Sequence, residues 1–354
     1  MVRWLKRTRC SPIGLDIGSR SVKLVQFDAE HTRLIEAARW DLPPVEDDQV
    51  HGPERRAQVV DAINQAREGR QFHGRRVVLC LGDSDLMVQN IRIPKTDGRD
   101  LAQLVHQEAA GRVPFSMAEA DIRFVDAADV RQGDALMREV VLMAAHHPQV
   151  EEKLQSIVAA GLTPVAVDVE PMALLRCYFQ QYRRDEDRTR RVLYLHVGES
   201  HSVVVIAQGS EVLFVKYLDL GGRHMDQSVA RHAQISVADA ASLRRHNGDR
   251  RSSEQDPEVA RSVAESVRPV IERLAGELSA CIRYHSVTFR GQPLAQVVLS
   301  GGEASTALAE ALSERLGMEC DVPDPLRTYE GNPNAKHQGQ WAIATGLALR
   351  EVEN

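Results

Sequence analysis

A short β-hairpin that occurs twice constrains this chain more than any other feature. The first copy is Ile13-Gly-Leu-Asp-Ile-Gly-Ser-Arg-Ser-Val-Lys-Leu-Val-Gln-Phe27. Ile13, Leu15 and Ile17 alternate with smaller or polar residues, the period of a strand with one buried face. Gly18-Ser19 supplies a tight turn, and Val22 to Phe27 returns as a second strand. The second copy, Leu193-Tyr-Leu-His-Val-Gly-Glu-Ser-His-Ser-Val-Val-Val-Ile206, has the same plan. Gly198 follows Gly18 by 180 positions, about half of the 354 residues. Similarity at that spacing predicts two related lobes, each presenting one hairpin. The length agrees, because single cores stop growing below it.

The hairpin tip carries chemistry. A glycine turn with small hydroxyl residues (Ser19 and Ser21) offers N–H groups that can wrap an anion. Asp16, just before the turn, can hold Mg²⁺ through water, because that ion keeps most of its hydration shell. A plain hairpin with a polar tip reads the same way when it occurs once. Two facing copies make a nucleotide clamp.

Composition closes off several classes. Apolar residues make up 43% and charged residues 27%, as in globular proteins. The net charge of −6 and an aromatic content of 5% argue against a nucleic-acid partner. The five cysteines (Cys10, Cys80, Cys177, Cys281 and Cys320) are scattered, which fits reduced thiols in a cytosolic protein. There is no membrane-length apolar run and no signal peptide. The basic start, Met1 to Arg9, reads as a solvated leader.

Taken in order, the periodicity predicts helices at 54–68, 100–111, 149–160 and 171–181. It predicts strands at 33–40, 76–81, 88–93, 122–125, 139–145 and 163–169. The block 88–145 reads as a small α+β unit inserted in the first lobe. Pro43-Pro44 with Glu46–Asp48 marks a loop, and the charged run Arg183–Arg191 marks the boundary between lobes. The second lobe adds a strand at 211–218, helices at 225–233 and 236–245, and a polar loop at 247–255. A long amphipathic helix (257–284), a strand (295–300) and helices at 306–316 and 341–350 complete it.

Two further stretches resemble ligand loops. Ser300-Gly-Gly-Glu-Ala-Ser305 is strand, glycine pair and helix start, which lets a flat ring or phosphate approach the backbone. Asp219-Leu-Gly-Gly222 is similar. His146-His147 is not read as a metal pair, because neighbouring strand residues face opposite ways. His196 occupies the position that Asp16 holds in the first copy. No G-x-S-x-G, H-E-x-x-H or Walker A pattern is present.

These residues resemble the actin-like ATPase superfamily, and within it the PilM family of type IV pilus assembly proteins. The likeness is carried by Ile13–Leu24, by Ile93-Pro94 with the helix leading to Val113-Pro-Phe115, and by Leu162–Glu170, Leu220–Gly222 and Leu299–Gly302. It spans about 11–350. It implies a two-lobed, duplicated ribonuclease-H-like α/β fold with an inserted small α+β subdomain. The lobes would be 11–190 (insert 88–145) and 191–350 (small subdomain 221–290).

The resemblance also implies a site and partners. Asp16, Gly18, Ser19, Ser21 and Lys23 would form the first phosphate loop, with Asp16 the Mg²⁺ partner through water. Gly198, Glu199, Ser200, His201 and Ser202 would form the second. Gly221, Gly222 and Arg244 would join Gly301, Gly302 and Glu303 around adenosine, so the cofactor would be ATP or ADP with Mg²⁺. The partner would be the N-terminal peptide of a PilN-like inner-membrane protein, with pilus motor ATPases as a second class. The protein would sit at the cytoplasmic face of the inner membrane through that partner. It would be a relative of the division protein FtsA, but the chain stops at Asn354 soon after its last core helix, against an FtsA-like membrane helix.

Three positions depart from that family. His196 stands where the second phosphate motif has Asp, and Ala241 and Arg244 stand where relatives carry Glu and Lys. Imidazole is a poor Mg²⁺ partner, and Arg keeps the charge but not the shape of Lys. A lost charge-assisted contact costs roughly 1.5–3 kcal/mol. The expectation is therefore a scaffold that senses nucleotide, with an actin-like ATPase or sugar kinase as the alternative.

Overall fold

The computed structural model describes residues 10–43, 52–95, 100–181, 185–249, 256–289, 292–331 and 338–352. The leader Met1–Arg9, the acidic run Glu46–Asp48 and most of the polar loop read at 247–255 lie outside the described residues.

The chain opens with β1 (Ile13–Ile17), β2 (Ser21–Phe27), β3 (Leu34–Asp41), α1 (Pro53–Arg67) and β4 (Arg76–Leu81). The inserted block supplies β5 (Leu86–Pro94), α2 (Leu101–Ala110), β6 (Ala120–Gln132) and β7 (Ala135–His146). Next come α3 (His147–Ala159), β8 (Thr163–Val169), α4 (Glu170–Phe179) and the short α5 (Asp185–Thr189). The second half runs β9 (Arg191–Val197), β10 (Ser202–Gln208), β11 (Glu211–Leu218), α6 (Gly222–Ala233), α7 (Val237–Asp249) and α8 (Pro257–Thr288). It ends with β12 (Leu294–Ser300), α9 (Thr306–Leu316), β13 (Cys320–Asp321) and α10 (Ala342–Ala348).

The repeated hairpin is part of a repeated sheet. One sheet has the order β3-β2-β1-β4-β8 and the other β11-β10-β9-β12-β13. In each, three antiparallel strands are followed by two parallel ones reached by crossovers. This duplicated ribonuclease-H-like topology is the actin-like fold. A third sheet, β5-β7-β6, forms the inserted block.

By packing, Met1–Leu86, Ala145–Tyr182 and Asp324–Asn354 make one compact unit, and Met87–Ala144 with Arg183–Pro323 make the other. This differs from the division read along the sequence at both the insert and the C-terminus. In the first unit, Ile13, Leu15, Leu24, Ile63, Val77, Leu79 and Ile157 build the core on one face of the sheet. On the other face α10 lies on β1. A Cβ on Gly14 would overlap the Ala344 carbonyl, and one on Gly346 would overlap the Ala173 carbonyl of α4. That contact places the C-terminal segment with the first unit.

The second unit is built on Leu193, Leu195, Val204, Leu274, Leu278, Val297 and Leu308, where α8 covers the sheet. The insert is fastened here by polar groups. The fully buried Glu139 accepts from Arg92 Nε at 2.8 Å and from the Tyr284 hydroxyl. Arg92 also donates to Thr288 Oγ1 at 2.8 Å. The Asn90 side-chain amide donates to the Val215 carbonyl at 2.7 Å and accepts from the Val215 N–H at 3.2 Å. Burying an ionised carboxylate is costly unless donors surround it, so these partners fix where the insert sits.

Candidate functional site

In the first unit the β1–β2 ladder sets Asp16 directly opposite Lys23. Opposed residues project from the same face of an antiparallel pair. Lys23 Nζ donates to Asp16 Oδ2 at 2.8 Å, with side chains only 11% and 12% exposed. The Gly18 N–H donates to the Ser21 carbonyl at 3.0 Å and closes the turn. Arg55 of α1 donates to the Ser19 carbonyl, and the Leu42 N–H donates to the Arg20 carbonyl at 2.8 Å. The turn is therefore held from outside as well as from within.

The C-terminal ends of β1, β4 and β8 come together, the edge where open α/β sheets take ligands. Glu170, the first residue of α4, is buried, and its Oε2 lies 3.3 Å from where a Cβ on Gly82 would stand. Asp168 is paired with Arg176 at 2.8 Å and Arg350 at 3.1 Å, and Lys153 with Asp85 at 2.5 Å. Burial, and after it the charges of Asp16 and Glu170, push the Cys80 thiol well up. Apart from Asp16, sequence reading gave none of these residues a role in the site. Glu170 was the findable one: a carboxylate between a strand end and a Pro at the first turn of a helix.

In the second unit three loops converge. The Gly198 N–H donates to the His201 carbonyl at 3.0 Å and closes the β9–β10 turn. The Gly222 N–H donates to the Gly198 carbonyl at 2.9 Å, the Arg223 N–H to the Glu199 carbonyl at 2.8 Å, and the Glu303 N–H to the Val197 carbonyl at 3.2 Å. Ser202 Oγ donates to the Leu220 carbonyl at 2.5 Å, and Ser200 Oγ lies 3.4 Å from His201 Nδ1.

The glycines here serve the loops first. A Cβ on Gly221 would lie 2.5 Å from the Glu199 carbonyl oxygen, and one on Gly222 would overlap the Glu303 side chain. Gly301, at φ +105°, would meet the Val197 backbone. Gly302 differs, with nothing within 4 Å, so its backbone stays approachable.

His196 is buried on β9, in register with Ser300 of β12, and its Nδ1 lies 3.1 Å from Ser300 Oγ. Arg244 of α7 is committed to carboxylates. Its Nε donates to Asp226 at 2.6 Å and its Nη1 to Glu303 at 2.5 Å. Burial alone would lower its pKa, but Glu303 and then Asp226 outweigh burial and raise it. Arg245 reaches Asp226 at 3.4 Å and Glu199 at 4.0 Å. Ala241 is buried in the same helix.

Neither half-site fits Mg²⁺. Asp16 is already neutralised by Lys23, and its counterpart is an imidazole. Among the described residues no three His, Cys, Asp or Glu side chains are grouped to hold a metal. In the first unit Lys23 lies beside the glycine turn, its Nζ 3.7 Å from a Cβ position on Gly18; in the second, Gly302 leaves its backbone open.

The sequence pattern of the family described as type IV pilus assembly protein PilM matches residues 14–352. The chain belongs to the PilM family. Among solved structures it is similar to the PilM-PilN type IV pilus biogenesis complex, at 25% identity and TM-score 0.79, over 97% of this chain and 99% of that one. It is also similar in fold to the ethanolamine utilization protein EutJ from Carboxydothermus hydrogenoformans, at 17% identity and TM-score 0.57, over 96% of this chain and 89% of that one. Among the described residues of this PilM-family chain no helix is long and apolar enough to cross a membrane.

Proposed function

We propose that this chain is a type IV pilus assembly scaffold of the PilM type. It docks the N-terminal tail of a PilN-like membrane protein at the cytoplasmic face of the inner membrane. One observation carries this reading: near-complete mutual coverage with a solved PilM-PilN complex at TM-score 0.79. Docking of an extended peptide is a recognition mode that needs a groove and main-chain donors and no catalytic group.

The site chemistry supports binding over turnover. Phosphoryl transfer needs positioned metal and a residue that orients the nucleophile. Here Asp16 is spent on Lys23, and His196 on Ser300. ATP or ADP, when bound, supplies a phosphate chain and a ring. Lys23 with the Ser19–Ser21 turn would hold phosphate in the first unit. In the second unit, taken by itself, the Gly198–Ser202 turn and the open backbone of Gly302 are the parts offered to nucleotide. A ligand held this way biases one arrangement of the protein over another by its differential affinity, and so biases partner binding.

The test is calorimetric titration of a synthetic PilN-like N-terminal peptide into the full chain, with and without nucleotide. Saturable binding is expected. No binding in either condition overturns the reading.

A further inference from the structure

We infer that this chain holds nucleotide phosphate without a divalent cation, the Lys23 ammonium supplying the positive charge beside Asp16. The inference rests on the nucleotide-binding part of the function proposed above.

The Asp16–Lys23 pair is built into the sheet. The two residues are direct cross-strand partners in the β1–β2 ladder, so their side chains must leave the same face. Both are nearly covered, and the contact is 2.8 Å. A charged pair this dry is costly to separate. A carboxylate that already carries an ammonium is neutral as a unit and has no net charge with which to draw a dication. A dication brought to Asp16 would also lie against the ammonium and be repelled by it.

The ammonium is placed for an anion. Its Nζ lies 3.7 Å from the Cβ position of Gly18, so it sits beside the one residue of the turn that has no side chain. An ammonium has three N–H donors, and the contact with Asp16 Oδ2 uses one. The remaining donors can face phosphate oxygens that approach across the glycine.

The second hairpin points the same way. Its position equivalent to Asp16 is His196, buried and joined to Ser300 at 3.1 Å. Hard cations prefer carboxylate oxygen to imidazole nitrogen. Of the two hairpin positions, then, one has lost its carboxylate by substitution and the other holds it neutralised.

The test measures ADP and ATP binding to the full chain by calorimetry in excess MgCl₂ and in excess EDTA. Affinities that agree within about twofold are expected. Asp16→Asn, nearly isosteric, releases Lys23 and is expected to leave binding in EDTA unchanged or tighter. Lys23→Met is expected to weaken binding in EDTA by roughly tenfold or more. Two results overturn the inference: a roughly tenfold or greater loss on removing Mg²⁺, or a comparable loss in Asp16→Asn. Thermal melts identify any variant that fails to fold, and the natural chain in the two media decides the matter without variants. If no nucleotide binds but the PilN-like peptide does, the inference falls and the scaffold reading stands. If neither binds, both fall.

Discussion

Arg244 closes on Glu303 at 2.5 Å, tying α7 to the loop that leads into α9. The same guanidinium holds the buried Asp226 at 2.6 Å. One side chain thus compensates two buried carboxylates.

Removing it leaves both charges without their main counter-ion. Arg244→Ala is expected to destabilise the second unit by about 3–5 kcal/mol, the range for breaking a buried pair. Arg244→Lys keeps the charge but cannot fork between two acids, so it should fall between Ala and the natural chain. Urea denaturation checks this. Equal stability of all three proteins would mean that the network contributes nothing.

His285 makes stability depend on pH. It is fully buried, and burial, then the nearby Arg191 charge, lowers its pKa from 6.5 to about 4. The unfolded chain takes up a proton near pH 6.5, whereas the folded chain does so only near 4. Its contribution is fully present above pH 6.5 and is lost on acidification between those values. The loss from this group is about 3 kcal/mol. His285→Gln should flatten the melting temperature between pH 7 and pH 5, measured against the natural chain.

The contact of α10 with β1 and α4 leaves no room for a methyl group. Gly346→Ala in α10 and Gly14→Ala in β1 are each expected to cost about 1–3 kcal/mol by overpacking, the first although alanine favours a helix over glycine. Gly276 lies within α8 with nothing near its Cβ position, so Gly276→Ala should be neutral or stabilising. Differential scanning calorimetry of the three variants separates packing from propensity.

Glu139 holds the inserted block to α8. Burial, then the Glu139 contact, pushes the Tyr284 phenol up to about 12. Tyr284→Phe removes one donor from a buried carboxylate and should cost about 1–3 kcal/mol. Glu139→Ala also strips Arg92 of its carboxylate partner and should cost more. Limited proteolysis should then cut first within Met87–Ala144. A cleavage pattern like that of the natural chain would show that the block is held by its apolar contacts alone.

The repeated hairpins were legible because a turn is a local event. Glycine, hydroxyl residues and alternating strands lie within fifteen positions. From them followed the duplicated sheets. The partners of those residues were less legible. Glu303 lies 59 positions from Arg244, and Ser300 lies 104 from His196. Spacing carries no trace of such pairs. The strands read at 122–125 and 139–145 are longer in the structure, forming β6 and β7, because charged residues break the alternation. Arg138 pairs with Asp126 and Asp129, and Lys95 pairs with Asp129, so ion pairs take the place of apolar packing there. Strand β13 is two residues long, too short to show a period. Two glycines of the second unit, Gly221 and Gly301, also make room for neighbouring backbone, which no local pattern announces.

The amide of Asn90 has a consequence for how the protein meets its own copies. β11 is the outer strand of its sheet, and an open edge is a template on which another chain can add a strand. At Val215 that template is already read. The Asn90 side chain imitates one residue of a neighbouring strand, taking both the N–H and the carbonyl. The inserted block therefore occupies the β11 edge at Val215, the place where another chain would add a strand.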